Sequence, residues 1–153
     1  MRLTAPRDEY QAARDCLEAT AREDPDNVRT SAMLAYLRKD AARFGHELER
    51  SRHAAFELTG EAATRAIDLD PRDKDALQAM SQVEQYYRDI KRLIDHAGQP
   101  VDVNLNDPAA LANFAMRLGS VGEISEAVPI KKYAVDRSLA SPPCDFHLFS
   151  GIT

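Results

Sequence analysis

Tryptophan is absent from this chain, and cysteine and glycine are scarce, with 2 and 6 among 153 residues. Cys16 and Cys144 show no metal-ligand spacing and cannot build a disulfide framework, so the chain reads as one made for a reducing, cytoplasmic setting. The glycines are dispersed, which leaves no Gly-rich loop to cradle a phosphate. Nowhere do the roughly 18 apolar residues of a membrane-spanning helix run together. The opening MRLTAPRDEY lacks the apolar centre of a secretory leader. Positive charge is also short: 20 Lys and Arg stand against 25 Asp and Glu, a net −5, which excludes the concentrated basic surface that nucleic acid requires.

Nor do the catalytic patterns assemble. His46-Glu47 begins like a zinc-protease helix, but Arg50 stands where the second histidine must be. His46, His53, His96 and His147 are scattered, the usual pattern of surface histidines. Asp68, Asp70, Asp73 and Asp75 crowd around Pro71 without the central glycine and closing glutamate of a calcium loop; they read as a solvated turn and helix caps. Ser31, Ser81 and Ser125 have no nucleophile elbow around them. The expectation is no enzyme, no metal and no cofactor.

What is present is helix-forming: Ala, Arg, Leu, Asp and Glu dominate, with 44 % hydrophobic and 29 % charged residues. Two stretches also match at a fixed distance. AIDLDPRDKDALQAMSQVEQYYRDIKRLID laid over PVDVNLNDPAALANFAMRLGSVGEISEAV puts Ala76-Leu77 on Ala110-Leu111, 34 residues on, and Met80-Ser81 on Phe114-Ala115. Asp89-Ile90 then falls on Glu123-Ile124, Leu93-Ile94 on Ala127-Val128, and Val101 on Val135. One amphipathic helix would not give coincidences at both ends of such a unit. The period marks a tandem repeat.

Each unit reads as two helices. Leu111, Phe114, Ala115 and Leu118 form one apolar stripe, entered through Asn106, Asp107 and Pro108 and broken at 119–122. Ile124, Ala127, Val128, Lys131, Ala134 and Val135 form a second, closed by Pro142-Pro143. The unit before it predicts helices over 73–87 and 89–98, with Pro100 ending the second and leaving VDVNLN extended. Pro129 is expected to kink its helix or to sit near its start. Upstream, Asp24-Pro25 and Pro71 are 46 residues apart, which is 34 plus a dozen placed around 45–56, as a loop or an extended second helix. Tyr10, Ala13, Leu17 and Ala21 mark a second helix without its partner. Phe146, Leu148, Phe149 and Ile152 look like the opening of a further first helix. The organisation is thus 8–25 as a partial repeat, 26–71 as a repeat with insertion, 74–107 and 108–141 as repeats, and 142–153 as a further helix or tail.

These residues resemble the tetratricopeptide repeat, which pairs leucine, glycine and aromatic positions on its first helix with two alanines on its second. Leu111, Phe114, Ala115, Leu118, Gly122, Ala127 and Ala134 match that pattern, with Lys131 in place of the aromatic and Leu139 in place of the closing proline. Leu77, Met80, Ser81, Ile90 and Leu93 carry it in the middle unit, although Pro100 occupies an alanine site, and Leu34, Ala35, Ala66 and Pro71 carry it in the first. The resemblance implies an all-α fold of tandem helix-turn-helix repeats, stacked as a short right-handed solenoid over 1–153. Ala115 and Ala127 are expected to face each other where helices cross. The segments DPDNVRTSAMLAYLRKDAARFG, AIDLDPRDKDALQAMSQV, LNDPAALANFAMRLGSVGEISEAV and PPCDFHLF look most like repeat regions attached to bacterial adenylate or guanylate cyclases and winged-helix transcription regulators. That likeness implies a regulatory or assembly role.

In such a stack the first helices line a concave face. By spacing it holds Arg29, Ala32, Tyr36 and Lys39, then Asp75, Gln78, Gln82 and Gln85, then Ala109, Ala112, Met116 and Ser120. Tyr86-Tyr87 offers a partner anchor, or packing at the turn between helices. The partner implied is a protein segment or a second copy, held by a scaffold; the rival is a spacer or dimerisation element of a larger signalling protein. The unpaired stripes at the two ends point to a homo-oligomer built through terminal helices, or to a tail folded back onto the last repeat.

Overall fold

A computed structural model describes residues 7–45 and 51–139. Among these the regular structure is entirely helical: α1 (Arg7–Glu23), α2 (Val28–Phe44), α3 (Arg52–Leu69), α4 (Lys74–Tyr87), α5 (Ile90–Val103), α6 (Pro108–Ser120) and α7 (Ile124–Leu139). The repeat is visible in the backbone. α4 and α5 begin at Lys74 and Ile90; α6 and α7 begin at Pro108 and Ile124, each 34 residues later. Asp73 and Asp107 cap the first helices, their carboxylates accepting from Ala76 N at 2.9 Å and from Ala109 N and Ala110 N at 2.9 and 3.2 Å. The left-handed residue that ends a first helix also recurs, as Arg88 at φ 59° and Gly122 at φ 96°. α2 follows the same logic, from its Asn27 cap to Gly45 at φ 71°.

The chain forms two compact units, Met1–Gln99 and Pro100–Thr153. In the first, α2 packs along α3, α4 lies against both, and α1 lies against α2. Leu34, Ala35, Ala42, Phe56, Ala63, Met80 and Val83 are buried together, with Leu17 of α1 packed on them. Arg38 ties three helices: it donates to Glu18 Oε1 at 3.0 Å and to Leu58 O at 3.3 Å. In the second unit α6 and α7 enclose Val101, Leu111, Ala112 and Ala134, with Phe114 and Ile130 half-buried beside them. Among the described residues most of the buried apolar ones are alanine, and short side chains let helix axes approach closely. Ala127 is buried opposite Gly119, where an added Cβ would lie 3.9 Å from it.

Several expectations are corrected. α5 does not stop at Pro100 but runs to Val103. The proline forfeits one bond, to His96 O, yet the following turn closes, with Asn104 N donating to Pro100 O at 3.2 Å. In α7 Pro129 is the sixth of sixteen residues, in the second turn of the helix. Its packed line is Ala127, Ile130 and Ala134, while Ile124, Val128 and Val135 face solvent. On α1 Tyr10 is buried and Leu17 packed, but Ala13 is exposed. Of the inserted dozen, Ser51 caps α3 and Phe56 enters the core. His46, Glu47, Arg50 and the tail residues Phe146, Leu148, Phe149 and Ile152, with Pro142, Pro143, Cys144 and His147, lie outside the described residues.

Candidate partner-binding face

The first helices of the first unit, α2 and α4, bring one polar group together. Tyr36 is half-buried, and Lys39 Nζ stands 3.4 Å from the centre of its ring while pairing with Asp40 at 3.1 Å. The Tyr36 phenol is held above its ordinary pKa, first by burial and then by the Asp40 and Asp75 carboxylates, with Arg43 pulling the other way. Asp75 opens α4 on this side; Gln78 is half-buried one turn on, and Gln82 is buried two turns on. The Gln82 Oε1 oxygen is buried with no hydrogen-bond partner. A buried acceptor left without a donor is costly.

Not every residue expected on this face is offered to a partner. Arg29 is exposed, Gln85 half-buried, and Lys39 is 4 % exposed, its charge spent within the chain. Ala32 and Ala112 are buried. Tyr86 stacks on Phe56 with ring centres 4.3 Å apart, so it serves packing, whereas Tyr87 remains 47 % exposed. On α6 of the second unit Ala109 and Ser120 are exposed and Met116 half-buried, with Ser120 Oγ donating to Arg117 O at 2.7 Å. Leu34, Ala35, Ala66, Leu77, Met80, Leu111, Ala115, Leu118, Ala127 and Ala134 are buried, and Phe114 is half-buried.

Other groupings were not evident in the sequence. Asp40 lies one helical turn past Tyr36 and was within reach of spacing; Arg43 is one turn further. His53 packs edge-on to Tyr87 at 5.8 Å, across more than thirty positions of chain, and no local pattern signals it. His96 is not a surface histidine: its Nδ1 is 2.7 Å from Glu84 Oε1, and Arg92 Nε is 3.3 Å from the same oxygen. Glu84 is buried, and its Oε2 has no partner. Among the described residues no group of three or more His, Cys, Asp or Glu is placed to hold a metal ion, and no helix is long and apolar enough to cross a membrane.

No protein-family model matches the chain, and no curated protein sequence does. Among solved structures it is similar to MamA MSR-1 C2, with TM-score 0.61 and 14 % identity over 88 % of this chain and 70 % of that one. A crystal structure of MamA gives TM-score 0.49 at 18 % identity, covering 86 % of this chain and 90 % of that one. The first likeness fixes the fold: tandem helical hairpins of the tetratricopeptide type. At such identity it speaks to the fold alone.

Proposed function

We propose that the chain is a non-catalytic protein-interaction module, a scaffold or regulatory domain that holds a donor-rich segment of another protein on the α2–α4 face. The observation that carries this reading is the buried, unpartnered Gln82 oxygen on a face that also presents Asp40 and Asp75. Such a face offers acceptors in Gln82 and Asp75, while Asp40 is already paired with Lys39. It suits a peptide bearing Lys, Arg or Asn side chains, whose donor meets the Gln82 oxygen once that side chain turns outward. It does not suit a C-terminal carboxylate, which requires a cluster of donors.

Selection of random peptides on the immobilised chain tests the proposal. Selected sequences are expected to be rich in donors, and their binding to be lost with Asp75→Lys and weakened with Gln82→Leu. Peptides that bind both variants as well as the parent would sink it. The rival reading, a dimerisation spacer of a larger bacterial signalling enzyme or transcription regulator, draws support from the apolar side chains that α7 leaves in solvent. A cyclase or winged-helix module encoded contiguously with this chain would favour that rival.

A further inference from the structure

α7 carries a line of large side chains that its own unit leaves uncovered. Ile124, Val128 and Val135 are 56 %, 60 % and 38 % exposed, and with Lys131 they recur at four, three and four residues along the helix. That spacing is the seam of a helix that packs against another helix. Lys131 lies on it and Lys132 beside it, and no acidic residue lies on it.

α1 presents the counterpart. Glu9, Ala13, Cys16, Thr20 and Glu23 recur at four, three, four and three residues; Thr20 is half-buried and the other four are exposed. This line is small where the α7 line is large, and it begins and ends in glutamate where the α7 line carries lysine. Branched side chains of one helix fit against alanine and cysteine of the other, the close approach that helix pairs favour. Pairing α7 with a second α7 would set bulk against bulk and bring the lysines of both copies together.

We propose that α7 of one copy docks on α1 of the next, so that the chain self-associates head to tail. The inference is independent of the α2–α4 face. Because the two surfaces differ, a docked pair still offers one free α7 line and one free α1 line, and association can continue beyond a pair through this contact. The α7–α1 contact also contains opposite charges near water, so salt weakens it.

Mass measured by light scattering over a range of concentrations, at low and high salt, reads this directly. The parent is expected to grow in mass with concentration and to fall back in high salt. Val128→Glu, which faces the glutamates of α1, and Ala13→Lys, which faces the lysines of α7, are each expected to stay monomeric alone. Mixed in equal amounts they associate again, since each retains the surface that the other has lost. Both positions are exposed, so the melting temperature of the monomer is unchanged; Lys132→Glu serves as a second α7 variant should Val128→Glu fail to fold. Glu126→Lys, on the far side of α7, associates as the parent does. A parent that is monomeric throughout overturns the proposal. So does an Ala13→Lys chain that associates like the parent while Val128→Glu does not, the signature of α7 pairing with itself.

Discussion

At the scale of single residues, two backbone positions have the wrong amino acid for their conformation. Gly60 sits inside α3, where an added Cβ would meet Val83 Cγ1 at 3.5 Å, an ordinary contact. Gly60→Ala is therefore expected to stabilise the chain by about 0.5–1 kcal/mol, measured by urea unfolding, because alanine surrenders less freedom on entering a helix. Arg88 is the converse, a side chain held at φ 59° where the next repeat places Gly122. Arg88→Gly removes a left-handed strain of about 1 kcal/mol, and a lower stability would show that the Arg88 side chain does more than the backbone suggests. Tyr36 gives a pH signature. Its phenol lies above the ordinary 10.0, so the native state holds that proton more tightly than the unfolded chain. The stabilisation is full below pH 10.0 and is lost as pH climbs through the raised value. Tyr36→Phe lacks this loss. Its melting temperature is expected to decline less steeply than that of the parent in that alkaline range.

At the scale of helices, what the sequence made legible was whatever is decided locally. Asp73 and Asp107 cap because an aspartate three residues before an unpaired N–H satisfies it wherever it stands, and the period brought both to the same place. The burial of Ala115 and Ala127 was legible for the same reason: they fall with the repeat. The path beyond Pro100 was not, because a lost bond near a helix end can be absorbed by the turn that follows. The facing of α7 was missed because its apolar residues span two adjacent lines, and periodicity alone does not say which line is covered. Nor could spacing join Glu84 to His96 or Phe56 to Tyr86, since each pair is made by helices meeting. Tight helix approach is itself testable. Ala115 is 3 % exposed, and Ala115→Leu is expected to cost about 1–3 kcal/mol of stability by thermal melting. Ser125→Ala, at an exposed site, is expected to change little; equal and negligible effects at both would remove the argument from close approach.

For the molecule as a whole, composition announced the helical class, but not the division into two compact units within α5. It also hid which lines of α1 and α7 stay uncovered, because an apolar stripe looks alike whether its own chain or another covers it. The alanine interior has one more consequence. A buried leucine or methionine gives up rotamers on folding and regains them if the interior loosens, whereas alanine has none to regain. A swollen native-like state, with helices kept and side chains rattling, is therefore denied much of the entropy that ordinarily favours it. In mild acid or low denaturant the near-ultraviolet signal of Tyr36, Tyr86 and Tyr87 is expected to vanish together with the helical signal, and a dye that reports exposed apolar surface to find no intermediate to bind. Helical signal persisting after the tyrosine signal is gone would show an interior that melts before its backbone does.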